Sequence, residues 1–184
     1  TMQQVKAYGA KDKNADLKEM TIKRRELIDT DVQIDILYCG VCHSDIHAKN
    51  NDWGNAKYPI VPGHEIIGKV TEAGAKVSKF KVGDIVGVGC MVDSCQTCSA
   101  LEDDLEQFCE NGMTGTYNGK DRIGGAESDH TFGGYSSSIT VNEKFVLSIP
   151  KNLDLRAAAP LLCAGITTFS PLNHWKIKKG DKVG

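Results

Sequence analysis

Ten residues, Tyr38-Cys39-Gly40-Val41-Cys42-His43-Ser44-Asp45-Ile46-His47, constrain this chain more than any other stretch. They gather two thiols, two imidazoles, a hydroxyl and a carboxylate. They follow on Val32, Ile34, Ile36 and Tyr38, which alternate with Gln33, Asp35 and Leu37. Such alternation is the period-2 signature of a strand with one apolar face, so the reactive groups are presented at a strand's end. Gly63-His64-Glu65 comes after a short excursion. Thiolate and imidazole groups suit zinc and related metals, and at this point every Cys and His of the two stretches is a candidate ligand.

The rest of the sequence predicts a scaffold of short strands. Val5–Tyr8 and Met20–Lys23 flank a charged turn at Lys11-Asp12-Lys13-Asn14. Ser44–Asn50 predicts a short helix that Asp52-Trp53-Gly54 ends, and Pro59 and Pro62 favour extended or turn geometry over 58–63. Ile66–Val70, Val77–Val82 and Ile85–Val88 read as strands between the glycine turns at Gly74 and Gly83. Short strands at this spacing, without a long helix, predict a β-barrel-like domain. Phe132–Val141 and Phe145–Ile149 predict further strands, and 154–168, opened by Asp154 as N-cap, predicts a helix weakened by Pro160 and Gly165.

Residues 90–115 differ in character: they are poor in aliphatic residues and hold Cys95, Cys98 and Cys109. The chain has seven cysteines, an odd number, and its N-terminus lacks a secretory pattern, which together argue against a disulfide framework and for a cytoplasmic protein. Clustered thiols there are metal ligands more readily than disulfides. Cys39 and Cys90, in apolar or glycine-bounded surroundings, read as packed small residues. The formal net charge of −2 gives no electrostatic case for nucleic acid or an anionic membrane, and no apolar run is long enough for a spanning helix. Taken one at a time, Cys163 reads as a core thiol, Ser44 as a helix N-cap, His47 as a solvated helix residue and Trp53 as loop packing.

Taken together, Tyr38–Asp45, Gly63-His64-Glu65, the cysteine lobe and Leu162-Cys163-Ala164-Gly165-Ile166-Thr167 resemble the zinc-dependent medium-chain alcohol dehydrogenases, in the subgroup of cinnamyl alcohol dehydrogenases and broad aldehyde reductases. The resemblance runs through nearly the whole chain. It implies a mainly β, GroES-like, partly open barrel as catalytic domain over residues 1–153, with residues 154–184 forming a linking helix and the beginning of a Rossmann-type dinucleotide-binding domain. No Gly-x-Gly-x-x-Gly loop occurs before Gly184, where the first strand of that domain is expected, so the chain alone is expected to be inactive.

The same resemblance implies roles residue by residue. Cys42, His64 and Cys163 bind the catalytic zinc, with Glu65 as a nearby carboxylate able to approach the metal and Asp45 orienting a ligand. Ser44 and His47 carry the proton of the reacting alcohol to solvent. His43 meets the pyrophosphate of NADP (or NAD), Ser44 and Thr167 lie beside the nicotinamide, and Trp53 forms a wall of the substrate pocket. Cys95, Cys98 and Cys109 match the first, second and fourth ligands of a structural zinc site in the pattern Cys-x2-Cys-x2-Cys-x7-Cys, but the third position is Leu101, which has no ligand atom. A three-thiolate site closed by water, a carboxylate from Glu102, Asp103 or Asp104, recruitment of Cys90, and a metal-free lobe all remain open. The resemblance implies a small alcohol or aldehyde as substrate and a homodimer or tetramer. The competing reading is a non-catalytic zinc-binding or thiol-redox module.

Overall fold

The structure, a computed structural model, describes residues 2–102, 105–124 and 128–184, without the side chains of Leu101 and Glu102. Its centre is a five-stranded antiparallel sheet. In chain order its strands are β3 (Asp31–Cys39), β4 (Ile66–Ala73), β5 (Ile85–Val88), β8 (Ser138–Asn142) and β9 (Leu147–Ser148), arranged in space as β8-β3-β4-β5-β9. The first half of the β3 alternation does what its period predicts: Val32 and Ile34 are fully buried, facing Ile66 and Val70 of β4, Val86 and Val88 of β5, and Ile139 and Val141 of β8, whereas a register shift between Ile36 and Tyr38 leaves Tyr38 exposed. Burying each such side chain contributes about 1.5–3 kcal/mol, which fixes the register, since a one-residue slip would turn the apolar set outward.

A hairpin of β1 (Gln3–Gly9) and β2 (Lys18–Arg24) joins this sheet through an irregular segment at 132–137. Tyr8 N–H donates to Tyr135 O, Ser137 N–H to Lys6 O and Ile36 N–H to Ser137 O, so the segment runs as a seam between β1 and β3. Its free carbonyls are taken by the buried Arg24 guanidinium, which donates to Phe132 O, to Gly133 O at 2.8 Å, to Ser138 O at 3.0 Å and to Ser136 Oγ at 2.7 Å. The strand expected over 132–141 is therefore confined to its second half.

Two other expectations are corrected. The stretch Val77–Val82 is not a strand, because the N–H groups of Ser78 and Lys79 bond the Glu143 carboxylate, at 3.0 and 2.8 Å, instead of a neighbouring strand. The helix expected over 154–168 is three pieces: α3 (Leu155–Ala158), capped by Asp154 Oδ1 at 3.0 Å from Arg156 N; a 3-10 turn over Ala159–Leu162; and α4 (Ala164–His174). The break places Cys163 at the N-cap of α4 rather than inside a helix. The remaining elements are α1 (His43–Asn50), α2 (Ser99–Glu102), and the pair β6 (Met91–Asp93) and β7 (Thr114–Gly115) that closes the base of the cysteine lobe. Among the described residues no single helix is long and apolar enough to cross a membrane.

The Arg24 clamp is open to direct test. Arg24→Met keeps the volume but leaves Phe132 O without its side-chain donor and Gly133 O and Ser138 O to share the Ser136 hydroxyl, at a cost of about 3 kcal/mol. Urea unfolding is expected to show a midpoint lowered accordingly, and an unchanged midpoint would mean that the seam holds without the guanidinium.

Candidate metal centre and active site

The two ligand stretches meet because β3 and β4 are antiparallel neighbours. Cys39 pairs with Ile66, and just beyond that pair Gly40 N–H donates to Glu65 O at 2.9 Å. The chain leaving β3 and the chain entering β4 thus start from one sheet edge. Gly40 is required there, since a Cβ at that position would lie 2.1 Å from Glu65 Oε2. Cys42 then caps α1 with extended backbone (φ −106, ψ 151), two residues earlier than the N-cap read at Ser44 from the sequence. Cys163 arrives from the break before α4, its Sγ 3.9 Å from that of Cys42. Ligand atoms of Cys42, His64, Glu65 and Cys163 all lie within 4.8 Å of one another.

That spacing fits a metal rather than a disulfide. Two thiolates bound at about 2.3 Å in a tetrahedron stand about 3.8 Å apart, close to the observed sulfur separation. The donors are two sulfurs, an imidazole and a carboxylate, a set that zinc accepts.

Asp45 organises the cluster. Its Oδ1 accepts from Gly63 N at 3.0 Å and lies 3.1 Å from His64 Nδ1; its Oδ2 accepts from Cys42 N at 3.0 Å and from the Tyr135 hydroxyl at 2.8 Å. Asp45 and His64 are both buried. Burial pushes the Asp45 carboxyl up, but His64, the Cys42 N–H and Tyr135 outweigh it, and the net shift is downward. With Nδ1 directed at Asp45, the Nε2 atom of His64 is the nitrogen left for a metal. The His64 ring also packs on Tyr117, the centroids 5.5 Å apart.

The thiols respond to their surroundings in opposite ways. Burial raises the Cys42 thiol, but the backbone and side chain of Ser44, with His64 and Cys163, bring it below its usual value. Burial, with Cys90 and Cys42 alongside, pushes Cys163 up to about 12. A bound cation would hold both as thiolates. Cys39 packs on the main core and burial pushes its thiol up to about 12, so it stays protonated. Cys90 corrects the sequence reading, because it is exposed and turns toward Cys163 and Cys42 instead of lying in the core or serving the lobe.

His43, Ser44 and His47 share α1. The His43 and His47 rings stand 4.7 Å apart, and His47 Nδ1 is 2.8 Å from Asp52 Oδ2. Trp53, 57% exposed, lies against His47 with the centroids 5.4 Å apart. Thr167 is exposed on α4, its N–H donating to Cys163 O. Asp52, Tyr117 and Tyr135 were missed in the sequence. Asp52 follows directly on the predicted helix and was open to an argument from the helix's end, whereas nothing in the spacing links Tyr135 to Asp45.

In the lobe, Cys95, Cys98 and Cys109 bring their Sγ atoms within 4.8 Å of one another. Cys95 N–H donates to Cys109 Sγ at 3.3 Å. The Thr97 N–H, then the Asn111 side chain, Cys109 and Cys98 bring the Cys95 thiol down to about 5. The Glu110 N–H lowers the Cys98 thiol, but Cys95 outweighs it and the net shift is upward. Asp103 and Asp104, and the side chains of Leu101 and Glu102, lie outside the described residues.

The alcohol dehydrogenase GroES-like domain matches residues 28–151. The chain belongs to that family. The chain is 54% identical over 183 residues to "NADP-dependent alcohol dehydrogenase C 1" of Mycolicibacterium smegmatis, covering 99% of this chain and 51% of the relative. It is 52% identical over 181 residues to "Aldehyde reductase YahK" of Escherichia coli, covering 98% and 51%. Among solved structures, a CAD from Helicobacter pylori complexed with NADP(H) superposes with a TM-score of 0.94 at 45% identity, covering 100% of this chain and 52% of that one. The chain spans about half the length of the curated relatives it matches.

Asp45→Asn tests the organising carboxylate. It removes a charge facing His64 and, at whichever oxygen the NH2 replaces, two of four acceptor contacts, and such partners of metal ligands are worth 10–100-fold in affinity. Competition with a chromogenic chelator is expected to show zinc held about 10–100-fold more weakly, with the circular dichroism spectrum retained.

Proposed function

We propose that this chain carries the zinc and proton-transfer apparatus of an alcohol dehydrogenase or aldehyde reductase that interconverts primary alcohols and aldehydes with NADP(H) as hydride partner. The observation that carries the proposal is the four-residue cluster Cys42, His64, Glu65 and Cys163, set in a GroES-like barrel whose relatives are named alcohol dehydrogenases and aldehyde reductases. Those names give no support to a non-catalytic zinc-binding or redox module. NADP is preferred over NAD because the M. smegmatis relative and the H. pylori structure carry it in their names. In this reading residues 1–153 form the catalytic domain and residues 154–184 lead into the dinucleotide-binding domain.

Cys42, His64 and Cys163 would hold the zinc, with Glu65 close enough to enter its coordination. Zinc supplies Lewis acidity, polarising a carbonyl and lowering the pKa of an alcohol. Asp45 fixes His64 by its Nδ1 edge, so that the imidazole needs no reorientation to act as ligand. Ser44, beside Cys42, takes the alcohol proton through its hydroxyl. His47 lies one turn further along α1, at the spacing where side chains share a helix face. It is half-exposed and can pass a proton to solvent, with Asp52 Oδ2 holding its ring at 2.8 Å. In aldehyde reduction the same groups deliver the proton in reverse. The exposed His43 at the first turn of α1 faces the side on which a cofactor pyrophosphate would lie. Thr167 approaches the nicotinamide, and Trp53 forms a substrate wall beside His47.

Two measurements test this reading in the full-length protein. Cys42→Ser is expected to abolish aldehyde reduction while leaving the fold intact by circular dichroism; unchanged turnover would remove Cys42 from the reacting centre. Ser44→Ala is expected to lower kcat by about 10²–10⁴ with little effect on zinc content. A loss of zinc instead would make Ser44 a structural partner of Cys42.

A further inference from the structure

Of the groups around the metal centre, Tyr117 supplies no ligand atom to the cluster and moves no proton in the proposed reaction. It is nonetheless held there. Thr116-Tyr117-Asn118-Gly119 follows directly on β7 and ends in the turn pair Asn-Gly. Asn118 takes φ +57, a conformation that asparagine tolerates better than most residues. Backbone bonds tie the turn on both sides of Tyr117: Thr116 N–H donates to Cys90 O at 3.0 Å, Asn118 N–H to Thr131 O at 2.9 Å and Thr131 N–H to Gly119 O at 2.9 Å. The Tyr117 ring packs against the apolar cluster of Ala10, Ala48 and Ile60. It stands beside His64 with the centroids 5.5 Å apart and the planes inclined at 46°.

His64 needs more than Asp45 to act as a ligand. The contact of its Nδ1 with Asp45 Oδ1 at 3.1 Å fixes one edge of the imidazole. The ring can still turn about that contact, because the second side-chain torsion of histidine has broad preferences. The Nε2 lone pair lies in the ring plane, so a ring that turns carries the lone pair off its line to a metal. A second contact, against the ring rather than its edge, removes that freedom. Tyr117 is the aromatic neighbour that supplies it. Burial, and then the charge of Asp45, raise the Tyr117 phenol above its usual value, so the tyrosine lies close to both members of the Asp45–His64 pair.

We propose that Tyr117 is a positioning residue of the candidate metal centre: its ring sets the plane of His64, as Asp45 sets its edge, and so aims Nε2 at the cation. The inference rests on the reading of Cys42, His64 and Cys163 as ligands. It adds a residue from outside both ligand stretches, one that acts only through the imidazole.

The test uses two substitutions in the full-length protein. Tyr117→Phe keeps the ring, whereas Tyr117→Leu keeps apolar packing against Ala48 and Ile60 without a ring. Chelator competition follows the zinc equivalent that Cys42→Ser removes. That zinc is expected to be held at least about tenfold more weakly in Tyr117→Leu and as in the parent in Tyr117→Phe. With cobalt(II) in place of zinc, the visible absorption follows ligand geometry; its bands are expected to move in Tyr117→Leu and to stay in Tyr117→Phe. A merely structural loss of packing would lower the melting temperature without moving the bands. The losses in Asp45→Asn and Tyr117→Leu are expected to sum to more than the loss in the double variant, since both act on one ring. Equal zinc affinity in Tyr117→Leu and the parent, or unmoved cobalt bands, would overturn the role. Tyr117→Phe as weak as Tyr117→Leu would overturn the ring as its basis. Metal binding that Cys42→Ser leaves unchanged would overturn the centre itself and this inference with it, an outcome distinct from a failure confined to Tyr117→Leu.

Discussion

One carboxylate holds the candidate centre together. Asp45 receives a donor from each of four places: the start of α1, the turn at Gly63, the His64 ring and the Tyr135 hydroxyl in the seam. Removed from water, an anion is costly unless every lone pair finds a partner, and here the partners are the pieces that must be aligned. The cost of burying the charge is offset by contacts that also fix the ligand geometry. Gly63 can join only because it adopts φ +100, a conformation other residues rarely tolerate. Tyr135 can join because backbone bonds to Tyr8 and Pro62, together with the Arg24 clamp, hold its segment against the barrel. The metal centre and the seam are therefore one cooperative unit, although their residues lie far apart in the chain.

Much of this was legible in the sequence, for identifiable reasons. The β3 alternation predicted a one-faced strand, and Val32 and Ile34 are buried as predicted, but the register shift between Ile36 and Tyr38 leaves Tyr38 exposed, which no alternation could foresee. The Cys42 and His64 stretches were legible as a pair because both carry ligand types that have little other reason to crowd around a strand's end. What was not legible depends on partners remote in sequence. Val77–Val82 has the composition of a strand, yet its N–H groups are claimed by Glu143, a side chain whose position no local pattern encodes. The helix after Asp154 was expected to run through Cys163. Pro160, which lacks an N–H, tightens the chain into a 3-10 turn instead, and that break turns a would-be core thiol toward the cluster. Cys90 misled for the opposite reason: its glycine and valine neighbours suggested packing, but it sits beyond the end of β5 and is exposed.

The two cysteine clusters are assembled in different ways. The first is imposed by the sheet: its ligands hang from strand ends and a helix cap that hydrophobic burial has already fixed. The second lies in a lobe without a core, where backbone N–H groups and the β6–β7 pair do the positioning.

The pairing of Cys39 with Ile66 has a broader consequence. Everything between Gly40 and Glu65 is an excursion that leaves one strand end and returns to its immediate neighbour. The ligands stand at the two feet of this loop, and its crown, including Trp53, projects outward. Changes in the crown can reshape what enters the site without moving Cys42 or His64, because the feet are held by the sheet and by Asp45. Such an architecture lets the crown vary while the candidate ligands at its feet keep their places.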